Sequence, residues 1–217
     1  MSASAIPVDL VLFGMVAVFL VLRLRSILGR RQGFEGLPEA PARRSPAPVI
    51  DGHAEPPATP DRPLPDPASE TGHALLAMQA MDLAFSPAAF LAGAEHAFRL
   101  IVTAFAAGDR EKLRPLLSPD TFAAFDSAIT ARLAAGHTQR TEIRAILDAT
   151  LDHASLAGSL ASIPVRFVSQ QITLTTAADN SIVAGADAVT ELVDVWTFAR
   201  DLKSGQPAWK LAGAQSA

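Results

Sequence analysis

The chain contains no cysteine. This excludes a disulfide framework, a thiolate zinc site and a thiol nucleophile. Histidine is scarce too: His53, His73, His96, His137 and His153 never stand at His-x-x-x-His spacing, and neither a metal site nor a cofactor site is expected. An excess of positive charge is also missing. A formal net charge of −4 and a pI near 5.7 leave no basic footprint for nucleic acid. The N-terminal apolar run is short as well: Leu10 to Leu22 gives thirteen residues, against the ~20 of an ordinary membrane span.

Short as it is, that run is framed like a membrane anchor. Pro7 suits the first turn of a helix, Asp9 sits where a helix dipole accepts an acid, and Arg23, Arg25, Arg30 and Arg31 follow the run. A helix from Pro7 to about Leu28 would be roughly 33 Å long at about 1.5 Å per residue, enough for a hydrocarbon core of about 30 Å. A cleaved signal peptide carries its positive charges before the apolar run and small residues directly after it; here the order is reversed. Residues 1–36 therefore read as a signal anchor with a basic, membrane-flanking tail. The positive-inside rule then keeps the following domain in the cytoplasm, on a single-pass protein of the inner membrane.

Of the sixteen prolines, ten fall between Pro38 and Pro67, in phrases such as PPATPDRPLPDP that show no hydrophobic period. Residues 37–70 are expected to form a disordered, extended tether. Beyond it, residues 71–217 have the pattern of one folded domain.

The first half of that domain is helical. His73 to Phe85 is a Met- and Leu-rich helix ending before the Ser86-Pro87 cap, and Pro87 to Ala107 places Phe90, Ala94, Ala97, Phe98, Ile101 and Phe105 on one stripe. Gly108 ends that helix and Asp109 caps a short one. Ser118-Pro119 starts another, with Phe122, Phe125, Ile129 and Leu133 expected to face inward. The second half is β. Thr141 to Ala157 alternates with its odd positions apolar, Ala161 to Thr175 changes phase near Val168 as at a bulge, and Pro164 marks an edge or an unpaired position. Ala188 to Leu211 has the highest density of β-branched and aromatic residues. It is apolar on both faces through Val193, Val195, Trp196 and Phe198, which predicts cover on both sides. Helices on one face of a four-stranded antiparallel sheet make an α+β domain.

Several phrases, in consistent order, resemble a known family: FLAGAEHAF (Phe90 to Phe98), IVTAFAAGD (Ile101 to Asp109), VRFVSQQI (Val165 to Ile172), and VDVWTFARDL (Val193 to Leu202) followed by WKL. Over Phe85 to Ala214 the chain resembles the Tim44-like domain family, that of mitochondrial import inner membrane translocase subunit 44 and the alphaproteobacterial TimA-type adaptors. The resemblance implies a cone-shaped domain of the nuclear transport factor 2-like fold with an apolar pocket between sheet and helices. It also implies an adaptor role in preprotein translocation or inner-membrane biogenesis, with a translocase or other membrane protein complex and a client polypeptide as partners. Phe167, Trp196, Phe198 and Trp209 are the residues expected to line the client recess.

Two other functions fit the same pattern. An isomerase- or dehydratase-type enzyme would draw on Asp194, which shares a strand face with Trp196 and Phe198, and on His153, on the apolar phase of its strand. No catalytic residue is assigned on that basis. A lipid-binding module would use the pocket or the Ala74 to Phe85 helix, yet from Pro87 onward eleven Lys/Arg face thirteen Asp/Glu, which does not favour anionic lipid.

Overall fold

The computed structural model describes residues 62–217, so the expected anchor of residues 1–36, with Arg23, Arg25, Arg30 and Arg31, and most of the expected tether lie outside the described residues. Helix α1, Glu70–Met81, starts one turn earlier than its Met-rich core suggests, because the Ser69 hydroxyl accepts from the Gly72 N–H at 3.0 Å. It buries Leu75 and Met78. Helix α2, Pro87–Ala107, has the expected boundaries: Ser86 accepts from Ala89 N, Pro87 opens the first turn, and Gly108 at φ 72° closes the helix in the left-handed region. Its stripe of Phe90, Ala94, Phe98, Ile101 and Phe105 lies buried. By length and composition α2 could cross a membrane, but here it is the central core helix.

Asp109 caps the single turn α3, Arg110–Leu113, and Ser118 caps α4, Pro119–Ala134. Phe125 and Ile129 of α4 face inward as expected, whereas Phe122 is only half-buried and Leu133 is exposed. From α4, Arg132 donates to the carbonyls of Phe105 and Ala106 at 2.8 and 3.1 Å, tying α4 to the C-terminal end of α2.

The sheet is antiparallel in the order β1 (Thr138–Leu151), β3 (Leu160–Thr176), β4 (Ile182–Asp201), β5 (Lys210–Ser216). A fifth strand, β2 (Ser155–Ala157), pairs with the start of β3 and continues the row of β1. The expected single strand over Thr141 to Ala157 is thus two, broken at Asp152 to Ala154. Pro164 explains the break: it lacks an N–H and falls between the last β1 pair, Leu151 with Val165, and the first β2 pair, Ser155 with Ser162.

Bulges reset the phases. In β1 the register slips at Arg144 and again at Leu147, so Ile146, Ala149 and Leu151 are buried and Leu147 is exposed. In β3 the odd positions stay buried through Ser169 and Gln171, and the phase changes at Ile172 rather than near Val168. The cause lies in β4. From Gln171 with Thr190 to Thr173 with Ala186, β4 advances two residues more than β3, and Gly185, at φ 85° and paired with Leu174 beside this bulge, leaves no room for a Cβ, which would lie 2.0 Å from the Thr173 carbonyl.

The helices cover one face of the sheet. Trp196 and Phe198 point into that layer and are buried, while Val193, Val195 and Thr197 on the opposite face are half-buried, with no described element over them. Cover on both sides, expected from the two-faced apolarity, is therefore not found among the described residues. Backbone hydrogen bonds tie the layers at β5: Leu211 N donates to Leu116 O and Ser118 N donates to Leu211 O, both at 2.8 Å.

Candidate functional site

The interior between α2 and the sheet is filled by two aromatic groups. In the first, Phe98 of α2 lies 4.5 Å from Phe167 and 4.6 Å from Trp196, ring centre to ring centre, and Phe167 meets Trp196 edge to face at 6.1 Å. Such pairs add about 0.5–1.5 kcal/mol beyond burial. All three rings are fully buried, and a client segment could reach Phe167 or Trp196 only by displacing Phe98. The second group runs from the core to the rim: Phe90 contacts Phe198 at 6.0 Å and Trp209 at 4.7 Å, and Phe85 meets Trp209 at 5.7 Å. Here only Trp209 keeps part of its surface in solvent.

The four residues expected to line one recess are therefore divided. Phe167, Trp196 and Phe198 form the closed interior and Trp209 stands at its edge. At that edge the Arg200 guanidinium lies 6.0 Å from the Trp209 ring and donates to Asp82 at 2.7 Å, tying the α1–α2 turn to β4. Next in the turn, Leu83 is 94% exposed. On the outer side of the β4–β5 hairpin a shallow concavity of about 270 Å³ is bordered by Leu160, Ala199, Asp201 and Lys210.

The residues named for enzyme chemistry do not converge. His153 is exposed in the break between β1 and β2, not on an apolar strand phase, whereas Asp194 is buried and accepts from the Ser216 hydroxyl at 3.3 Å. Arg166 lies on the other face of the sheet, with Asp148 at 3.8 Å and Asp152 at 3.5 Å. Among the described residues no three His, Asp or Glu side chains gather as a metal site.

One cluster escaped the sequence altogether. Arg62, inside the expected tether, is fixed on the domain. Its Nε donates to Glu95 of α2 at 2.9 Å, Nη1 to Leu147 O at 2.8 Å and Nη2 to Ile146 O at 2.9 Å. Both side chains are nearly closed off from solvent, at 11% and 8% exposure. The carbonyls it takes are those of the β1 bulge. Glu95, an acid on the edge of an apolar helix stripe, was the only sequence signal that a cation must come from elsewhere.

Fold and interior together define an α+β domain of helices closed on an antiparallel sheet around an aromatic core, with no assembled catalytic centre among its described residues. A family model for the Tim44-like domain matches residues 71–216, and the chain belongs to that family. Membership places it among translocation-related, membrane-associated modules. A comparison with curated proteins gives no match. Among solved structures, the intermembrane space region of the chloroplast protein ARC6 is similar at 12% identity and a TM-score of 0.42, over 58% of this chain and 95% of that one. An NTF2-like family protein from Streptomyces avermitilis gives 15% and 0.35 over 57% and 92%. A ketosteroid isomerase-like protein from Erwinia carotovora atroseptica gives 15% and 0.29 over 58% and 93%. At these scores none carries an argument about function.

Proposed function

We propose that the protein is a membrane-tethered adaptor that binds a membrane protein complex of the translocase kind and a client polypeptide. The observation that carries this reading is the family match over residues 71–216, nearly the whole folded unit. In this reading residues 1–36 anchor the chain in the inner membrane as a single span with the domain on the cytoplasmic side, and the domain has the nuclear transport factor 2-like cone form. The contact surface centres on Trp209 and on the exposed Leu83 beside the Asp82–Arg200 pair, with Phe198 behind it. Phe167 and Trp196 serve as its backing, reached only if α2 shifts. An aromatic ring already partly in solvent loses less on meeting a partner than one drawn from a closed core.

Photo-crosslinking in cells from positions 209, 83 and 167 tests this. Adducts with membrane proteins or nascent chains from 209 and 83, and few from 167, are the expected result. If none of the three positions yields such an adduct, the adaptor reading is wrong. An enzymatic reading finds no support in the geometry, because exposed His153 and buried Asp194 share no pocket.

A further inference from the structure

Strand β4 is longer than its neighbour β5. From Ile182 to Asp201 it pairs with β3 except at a bulge, but on its other side β5 covers only Asp194 to Ala199, and the last hydrogen bond of that row runs from Ala217 N to Val193 O at 3.0 Å. From Ile182 to Leu192 no other described strand pairs with that edge, which continues the row that β5 occupies. Open edges of this kind are ordinarily blunted by lysine, proline or a covering element. The bulge at Asp187 to Val189 interrupts the ladder, but it buries nothing: Ile182, Val183 and Val189 are 63%, 44% and 53% exposed.

The charge of the edge is one-sided. From Ile182 to Leu192 there is no Lys or Arg, while Asp187 and Glu191 fall there. Arg140 of β1 reaches Asp187, in a pair more than half exposed on both sides. Glu191 has no ion-pair partner among the described residues. Three occupants can be weighed on these facts. Pairing with a second copy would lay one acidic strand against another, and like charges directly opposite are destabilising. An anionic lipid surface is repelled. A basic extended segment gains main-chain hydrogen bonds, apolar contacts and opposite charge together.

We propose that the outer edge of β4, Ile182 to Leu192, is a strand-addition site for an extended polypeptide segment that carries Lys or Arg among β-branched residues. It rests on the adaptor reading for the source of such a segment. The crosslinks from position 209 test that reading separately, so either can fail alone. The added strand continues β5 beyond Ala217, and its basic side chains lie beside Glu191 and Asp187.

The test is amide hydrogen exchange of the full-length chain with a twelve-residue synthetic peptide of alternating Lys and Val/Thr. Exchange across Ile182 to Leu192 is expected to slow at least tenfold when the peptide is added. No slowing should follow from a Glu-for-Lys peptide or from one N-methylated at alternate residues, which cannot complete the ladder. The exposed double substitution Asp187→Lys/Glu191→Lys is expected to weaken the Lys peptide about tenfold. If that variant fails to fold, Glu191→Lys alone carries the comparison. Four results overturn the proposal: a β4 edge already protected in the free chain, which would mean the chain's own N-terminal segment fills it; protection that grows with protein concentration and no peptide; equal binding of the N-methylated peptide; or unchanged affinity in the charge-reversed variant.

Discussion

Replacing Arg62 by methionine removes a guanidinium that closes three acceptors at once, Glu95 Oε1 and the carbonyls of Ile146 and Leu147. The magnitude follows from burial. With side-chain exposures of 11% and 8%, the pair is hardly screened by water, and breaking a buried pair by removing one partner costs about 3–5 kcal/mol. Typical domains hold only about 5–15 kcal/mol in total. With a urea slope of about 2 kcal/mol per molar, the unfolding midpoint of Arg62→Met should fall by about 2 M. Trp196 in the core and Trp209 at the rim are the chain's two tryptophans, and their fluorescence reports the transition. Arg62→Lys keeps the charge but not the fork, and should lose about 1–2 kcal/mol. The double substitution Arg62→Met/Glu95→Met, which leaves no buried charge unpaired, should recover most of the loss. A midpoint for Arg62→Met within 0.3 M of the parent, to the order of the ~0.5 kcal/mol expected of a surface change, would refute the reasoning.

Three further perturbations separate parts of the fold. Gly185→Ala drives a Cβ into the Thr173 carbonyl at a residue with φ 85°, and should cost about 3 kcal/mol, whereas Gly93→Ala, on an exposed face of α2 with open space around it, should gain about 0.5–1 kcal/mol; thermal melts of the two read the contrast. Phe98→Ala empties the space between Phe167 and Trp196 and should cost about 3–5 kcal/mol by urea unfolding, against no more than about 0.5 for Leu83→Ala at its exposed site. Asp109 is held below the ordinary carboxylate value of 3.8 by the hydrogen bond from the Lys112 side chain, then by the Lys112 backbone N–H. Its folded pKa is depressed, so its contribution is present above the unfolded value and is lost as pH falls below about 4 through the folded one. Lys112→Met should therefore flatten the decline of the urea midpoint between about pH 5 and pH 2.

Local chemistry was legible wherever one residue sets one geometry. Ser86-Pro87, Gly108, Asp109 and Ser118-Pro119 each mark a helix end that a side-chain acceptor or a positive φ dictates, and the Phe90 to Phe105 stripe shows which face of α2 meets the sheet. What could not be read depended on partners distant in the chain. The β1 bulges at Arg144 and Leu147 come from pairing with β3, so a strict period of two misplaces Leu147. Arg62 looks like any residue of a proline-rich stretch until Glu95, 33 residues on, is seen beneath it. For the aromatics, strand period shows which sheet face they share but not their accessibility. Trp196, Phe198 and Phe167 stand on one sheet face, and whether they line a recess or close a core depends on Phe98 and Phe90, which come from another element.

Any tension on the chain ahead of Arg62 meets the three Arg62 contacts before it meets α1. The load passes sideways into α2 through Glu95 and into the sheet through the β1 carbonyls, where several bonds must yield together rather than one after another. Helix α1, held by far fewer buried side chains, lies behind this point and carries no strain while the grip lasts. A pull from the N-terminal side of Arg62 thus acts on α2 and the sheet together, and turns or moves the domain as a unit instead of peeling it from the end.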